Sequence, residues 1–298
     1  MSLVATLVSN PKNPVLENNL VALVRQTLGE KQEAIWLAEG IAADIPLSVS
    51  DDISRVEVAI REALGSAPID VIVQKAANRR KKLFLADMDS TMIGQECIDE
   101  LADFVGLKEK VSDITERAMR GEIAFEPALR ERVALLKDLP ISVVGEIIEK
   151  RLILTPGGKE LVRTMRKNGA YTCLVSGGFT LFTSEIGAMI GFNEHRSNTL
   201  IVTDGKLVGQ VDDPIIGKEA KLATLVELRS QFSLGKEDTM AVGDGANDLA
   251  MLQEAGIGIA YHAKPAVAKA AHARINYSDL SALIYIQGYE SQDIVTEL

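Results

Sequence analysis

Three short polar clusters, each directly following an apolar run, hold the side chains of this sequence most suited to chemistry. They are Asp87-Met88-Asp89-Ser90-Thr91 after Leu83 to Ala86, Ser176-Gly177-Gly178 after Tyr171 to Val175, and Gly243-Asp244-Gly245-Ala246-Asn247-Asp248 after Thr239 to Val242. Acidic and amide side chains crowded among small residues, as in the third cluster, cost folding stability unless something such as a divalent cation uses them. That cluster lacks the G-x-G-x-x-G spacing of a dinucleotide site. Taken singly, the first also reads as a loop with an Asx-turn and the second as a plain turn.

The elements around the clusters bring them together. Leu83 to Ala86 is too short and too apolar for anything but a buried strand, and Tyr171 to Val175, Thr239 to Val242 and Ile257 to Ala260 repeat the pattern. Helical stretches separate them, among them one carrying Leu161 and Met165 and another from Lys221 to Leu228, so the spacing predicts a parallel sheet covered on both faces. Ligands of such sheets bind at the carboxyl ends of the strands, which predicts that the three clusters share one rim. Between the first two, from about 94 to 154, Ile98, Leu101 and Val105 form one helical stripe and Phe125, Leu129, Val133 and Leu136 another, predicting a compact helical insertion. Thr155-Pro156-Gly157 then reads as a helix start, with Thr155 as N-cap and Pro156 in the first turn. Asp204-Gly205, flanked by Thr199 to Val202 and Lys206 to Val211, predicts a hairpin flap.

Residues 1–80 form a separate α+β module. Leu3 to Val8 and Val71 to Val73 read as strands, Leu20, Val24 and Leu28 as one helix, Ile53, Val56 and Ile60 as a second, and Ala34 to Ser48 has room for two strands, giving βαββαβ. The basic run Asn78 to Lys82 reads as a solvated hinge, with 81–298 as the second domain. No internal repeat or low-complexity tract is found.

Composition narrows the function. The 298 residues are 47% hydrophobic and 25% charged, ordinary for a folded chain of about two domains. The formal charge of −10 opposes binding to a nucleic-acid backbone, although a few cations or one metal can invert the sign locally for a small anionic substrate. Cys97 and Cys173, with no C-x-x-C and no histidine in ligand spacing, read as reduced core thiols. His195, His262 and His272 have no arrangement suited to metal or acid-base work, and Trp36 and Met88 read as packing residues. Without an uncharged apolar run of about 18 residues or a cationic leader, the expected compartment is the cytoplasm, with no membrane partner.

In this order, with a helical insertion after the first cluster, the sequence resembles the haloacid dehalogenase superfamily of phosphohydrolases from about Lys82 onward. Asp87-Met88-Asp89-Ser90-Thr91 matches its D-x-D-x-T motif, Leu174-Val175-Ser176-Gly177-Gly178 its second motif, Lys221 its third and Gly243 to Asp248 its fourth. The resemblance implies a Rossmann-type parallel sheet with a helical cap, Mg²⁺ as cofactor and hydrolysis through an aspartyl-phosphate. It implies Asp87 as nucleophile, Asp89 as general acid and base, and Lys221 as the cation beside them. The metal set would be Asp87, Asp244 and the backbone carbonyl of Asp89. Ser176, Gly177 and Gly178 would hold the phosphate, Asn247 would contact substrate, and Asp248 would orient Lys221 or a metal-bound water. Lys218 fits the solvated-lysine pattern as well as Lys221 does, so the resemblance alone selects between them.

These residue types suit the chemistry. A carboxylate attacking a phosphate meets like charge, about 1 kcal/mol at 4 Å in water and about 4 at an effective dielectric of about 20, so cations are needed. Glycines let backbone amides approach the phosphoryl oxygens. The resemblance further implies O-phosphoserine as substrate, on Glu96 and Arg132 in the insertion and the strand pair around Asp204-Gly205: Glu96 can pair with its ammonium, and Arg132 can bind its carboxylate through two parallel hydrogen bonds. The alternatives are another small phosphomonoester, or an amino-acid-binding regulator with a vestigial phosphatase core. The N-terminal module resembles an amino-acid-sensing ACT-type domain, which implies serine feedback or a homodimer, but its first loop, Ser9 to Pro14, lacks the glycine that ligand-binding members tend to carry there.

Overall fold

The computed structural model describes residues 2–48, 52–119 and 122–296. Its first part runs β1 (Leu3–Ser9), α1 (Asn18–Leu28), β2 (Ile35–Ala38), β3 (Ala42–Leu47), α2 (Ile53–Leu64) and β4 (Ile69–Lys75). The four strands pair antiparallel in the order β2-β3-β1-β4. Ala5, Leu7, Ile45 and Val71 cluster with Val24 of α1 and Ile60 of α2, whereas Val8, Ala42 and Ile72 join the core of the following chain. With both faces covered, every residue of β1 is buried, and its one interior polar side chain, Thr6, donates to Asp44 Oδ1 at 2.6 Å.

From Leu83 the chain forms β5 (Leu83–Ala86), then four helices, α3 (Cys97–Phe104), α4 (Lys108–Met119), α5 (Phe125–Ala134) and α6 (Ser142–Lys150). Next come α7 (Gly158–Lys167), β6 (Tyr171–Phe179), α8 (Thr180–Ile190), β7 (Glu194–Asn198), and the hairpin β8 (Leu200–Thr203) and β9 (Lys206–Val211). The chain continues with α9 (Lys218–Gln231), β10 (Thr239–Gly243), α10 (Leu249–Glu254), β11 (Ile257–Tyr261), α11 (Pro265–Ala270), β12 (Ala273–Ile275) and α12 (Ala282–Tyr285). Six strands make a parallel sheet in the order β12-β11-β10-β5-β6-β7. Leu83 and Leu85 cluster with residues of α9, α10 and α11, and Phe84 and Ala86 with residues of α7, α8 and α12, so alternate side chains of β5 enter opposite cores. The four helices α3 to α6 leave and rejoin the sheet domain at one place. An antiparallel bridge joins Ile93 to Leu154, and Gly94 N–H donates to Ile153 O at 3.0 Å.

Local readings change at four places. Thr155 does not cap α7: the N-cap is Gly157, at φ +80°, where an added Cβ would lie 2.2 Å from Ser281 N, so packing against 280–281 sets the helix start. The run 78–82 is solvated only in part: Asn78, Arg80 and Lys82 are exposed, but Arg79 is half-buried and Lys81 buried. Arg79 Nη1, on a half-buried side chain, lies 2.6 Å from Oδ2 of buried Asp44, and buried Lys81 donates through Nζ to the carbonyls of Asn78 (2.8 Å) and Glu237 (2.7 Å). Long cationic side chains can lie along a packed seam when carbonyls and carboxylates meet their heads. Phe125 leaves its stripe: Leu129, Val133 and Leu136 are buried, but Phe125 in the first turn of α5 is exposed and faces Gly177 and Gly217. Finally, Glu194–Asn198 is a strand although its side chains are all polar, because pairing with β6 rather than burial of apolar surface holds it at the sheet edge.

Candidate active site

The three polar clusters lie at the carboxyl ends of β5, β6 and β10, which are neighbours in the sheet with β5 in the centre. Asp87 directly follows β5; its N–H donates to Val242 O of β10 at 3.0 Å, and its Oδ1 accepts from Met88 N–H at 2.8 Å. The chain then turns sharply, with Ser90 in the left-handed region at φ +56°, which carries it away from the sheet toward α3.

Lys221 Nζ lies 2.7 Å from Asp87 Oδ1 and 2.7 Å from Asp248 Oδ1, and both Lys221 and Asp248 are fully buried. Lys218 is exposed beside Glu219, so tertiary structure separates two lysines that sequence leaves equivalent. Burial alone would lower the ammonium pKa, but the Asp248 and Asp87 carboxylates reverse that and raise it, keeping Lys221 charged. Burial first, and then the Asp248 charge, push the Asp87 carboxyl well above the usual range despite Lys221. Burial and Asp248 likewise push Asp244 up to about 6, against the hydrogen bond from Thr91 Oγ1 at 3.3 Å.

One oxygen from each of Asp87, Asp244 and Asp248 falls within a mutual 4.8 Å. Three carboxyl groups face one lysine, and hard oxygen donors at this spacing could hold a divalent cation. Asp89 sends its side chain elsewhere: Oδ1 accepts from Cys97 N–H at 2.9 Å, at the start of α3, and Oδ2 faces Ser176 Oγ at 3.4 Å. Burial raises the Asp89 pKa, opposed chiefly by that Cys97 N–H. Burial thus shifts the Asp89 carboxyl toward its protonated form.

Gly178 N–H donates to Ser176 Oγ at 2.8 Å. A Cβ on Gly178 would lie 2.8 Å from Asp89 Oδ2, so only glycine lets this strand end approach the carboxylate so closely. Gly177 lies under the Phe125 ring, 3.5 Å from where its Cβ would be. Asn247 is half-buried on the β10–α10 loop.

From the helical insertion, Glu96 accepts a hydrogen bond from Ser90 Oγ at 2.7 Å. Although Glu96 reaches the surface, the protein around its carboxyl and then the Asp89 charge push it up to about 7. Arg132 is half-buried and spends two guanidinium nitrogens on Ala128 O and Thr115 Oγ1, both at 3.2 Å. Burial lowers its pKa, opposed by Asp99 and then Glu96. Sequence reasoning assigned no role to Ser90, Thr91 or Asn198. The first two stand inside the quoted motif, while nothing in the order of residues marks Asn198.

Three loops on one sheet rim, with a lysine-paired aspartate and a separately placed second aspartate under a helical cap, define a hydrolase of the haloacid dehalogenase type. The profile of the haloacid dehalogenase-like hydrolases matches residues 84–253. A phosphoserine phosphatase from Polaromonas sp. is 46% identical over 208 residues, 68% of this chain and 88% of that protein. A crystal structure of a probable phosphoserine phosphatase from Vibrio cholerae, unliganded, superposes with a TM-score of 0.78 at 31% identity, covering 98% of this chain and 88% of that one. A haloacid dehalogenase family hydrolase from Salmonella enterica serovar Typhi superposes with a TM-score of 0.86 at 27% identity, covering 96% and 98%. The chain belongs to the haloacid dehalogenase-like hydrolases, among the phosphoserine phosphatases, and is a phosphoric monoester hydrolase. Among the described residues no helix is long and apolar enough to cross a membrane.

Proposed function

We propose that this chain hydrolyses O-phospho-L-serine to L-serine and phosphate, the closing step of serine synthesis, in the cytoplasm and with Mg²⁺. The observation that carries the reading is the convergence of Asp87, Asp89, Lys221 and the Ser176–Gly178 turn on one rim, with Glu96 of the helical insertion joined to Ser90 beside it.

Asp87 attacks phosphorus in line and forms an aspartyl-phosphate, dividing hydrolysis into two easier steps. Asp89, whose carboxyl burial shifts toward the protonated form, donates to the departing seryl oxygen and then accepts a proton from the incoming water. Ser176, the amides of Gly177 and Gly178, and Lys221 take up the charge that spreads over the equatorial oxygens. Asp248 holds Lys221 in place at 2.7 Å. Asp87, Asp244, the Asp89 carbonyl and the nearby Asp248 carboxylate are the groups that would hold the metal, which when bound offsets the repulsion between carboxylates and phosphate. Glu96 pairs with the substrate ammonium, Arg132 with its carboxylate, and Asn247 contacts the bound substrate.

The division of labour is that 1–80 forms a separate module and 81–298 the phosphatase, with the cap at about 94–154. The N-terminal module serves serine feedback or homodimer formation, and its removal without change in serine inhibition or oligomeric state would exclude both. Phosphate release from a panel of phosphorylated metabolites, with and without Mg²⁺, tests the main reading. Phosphoserine is expected to be the preferred substrate, and activity is expected to vanish in Asp87→Asn. Equal turnover of unrelated esters would overturn the substrate assignment.

A further inference from the structure

The strand ladder between β6 and β7 breaks at the turn that faces the phosphate. Val175 pairs with Arg196 and Phe179 with Asn198, so four steps along β6 meet two along β7, and Ser176, Gly177 and Gly178 bulge out of register. A bulge leaves backbone groups without ladder partners, and inside a protein those groups must be met some other way.

One side chain from β7 meets the Gly177 carbonyl. Asn198, the last residue of β7 and 2% exposed, donates through Nδ2 to Gly177 O at 2.8 Å and to Ile216 O at 3.1 Å. Its Oδ1 accepts from Ile216 N–H at 2.7 Å. A single buried amide therefore joins the Ser176–Gly178 turn to the segment that leads into α9. Gly217 follows Ile216, and its carbonyl accepts from Lys221 N–H at 3.2 Å, so the same tie reaches the first turn of the helix that carries Lys221.

The geometry of a trans peptide shows what this does. The carbonyl of Gly177 and the N–H of Gly178 belong to one plane and point in opposite directions. With the carbonyl held by Asn198, the Gly178 N–H is turned toward Ser176 Oγ, 2.8 Å away and itself facing Asp89. Rotation of that plane would carry a phosphate donor away from the site.

We infer that Asn198 is a positioning residue: it touches neither substrate nor metal, but sets the orientation of the Gly177–Gly178 peptide and the placement of Lys221 for the transferring phosphoryl group. The inference rests on the phosphatase reading above.

The probe is orthovanadate, which adopts the five-coordinate geometry of a phosphoryl group in transfer. Asn198→Asp keeps the shape and the acceptor for Ile216 N–H, but removes both donors and sets a carboxylate against two carbonyl oxygens. Misplacement of a donor by about 1 Å costs about a hundredfold. Asn198→Asp is expected to lose about 10- to 100-fold in orthovanadate affinity and in kcat, with KM for phosphoserine changing less.

Asn193→Ala is the control. Asn193 precedes the same strand and accepts from Thr172 N–H and Thr172 Oγ1, each at 3.0 Å, away from the phosphate turn. It is expected to lower the melting temperature while leaving orthovanadate affinity within about twofold. Should Asn198→Asp not fold, Asn198→Ser, whose short hydroxyl cannot span both carbonyls, must show the same loss. Unchanged orthovanadate affinity in the Asn198 variant, or an equal loss in Asn193→Ala, would overturn the assignment. A wild-type chain that binds orthovanadate but ignores phosphoserine overturns the substrate reading alone, and one indifferent to both overturns the phosphatase reading with it.

Discussion

Lys221 Nζ and Asp87 Oδ1 are 2.7 Å apart in the protein interior, and the same ammonium is shared with Asp248. A lone buried carboxylate would take up a proton, so the lysine is what favours Asp87 as an anion against the effects of burial and its acidic neighbours. Replacing Lys221 by Met keeps the length but leaves Asp87 and Asp248 facing one another. Stability is expected to fall by about 3–5 kcal/mol, with turnover lost. Adding Asp248→Asn should recover part of the stability and none of the turnover. Urea denaturation of the single and double variants measures the first, and phosphate release the second.

Arg132 reads one end of the substrate only if that end is present. Arg132→Ala is expected to reduce kcat/KM for phosphoserine by about 100-fold or more, from loss of a charge-assisted pair worth about 3 kcal/mol, while an aryl phosphate with no carboxylate loses far less. Arg132→Lys should recover little, since an ammonium cannot reproduce two parallel bonds. Equal losses on both substrates would count against phosphoserine.

Asp244, pushed up to about 6 by burial and then by Asp248, sets a pH dependence for cation binding. A raised carboxyl pKa means that protons compete with Mg²⁺ below it and not above. Apparent Mg²⁺ affinity is therefore expected to rise with pH until about 6 and then flatten, with proton release on binding at the lower end. Calorimetry in buffers of different ionisation enthalpy counts those protons. A flat profile from about pH 5 to 7 would remove Asp244 from the metal set.

Asp70 fixes the antiparallel sheet to the rest of the chain. Its buried carboxylate accepts from the backbone N–H groups of Asn276 (2.7 Å), Tyr277 (3.2 Å) and Ser278 (2.8 Å). Asp70→Ala leaves these donors without their acceptor, at about 1–3 kcal/mol for each one that stays buried. The expected result is a lower melting temperature, with the kcat of the folded enzyme unchanged. A loss of kcat in protein that remains folded would mean that this seam communicates with the active site.

Much of the fold and site is legible along the chain because strand, turn and ligand group are contiguous. The step from Leu83–Ala86 into Asp87, or from Thr239–Val242 into Asp244, is a local event that places a carboxylate at a sheet end in any parallel α/β arrangement. The βαββαβ order, the helical insertion and the Asp204-Gly205 hairpin follow from periodicities and turn chemistry that are equally local. Other features were hidden because their cause lies elsewhere in the chain. Glu194–Asn198 is a strand only because β6 lies beside it, and Lys81 is buried only because Asn78, Glu237 and Gln287 meet its polar groups.

The order of residues thus determined which groups carry the chemistry and on which kind of scaffold, since short-range backbone preferences and hydrophobic period act within a few residues. Folding alone decided that Lys221 rather than Lys218 faces Asp87, that Thr155 caps nothing, and that Asn198 holds the Gly177 carbonyl. Those outcomes depend on desolvation and on hydrogen bonds between segments far apart in the chain. Neither exists until the segments are packed against one another.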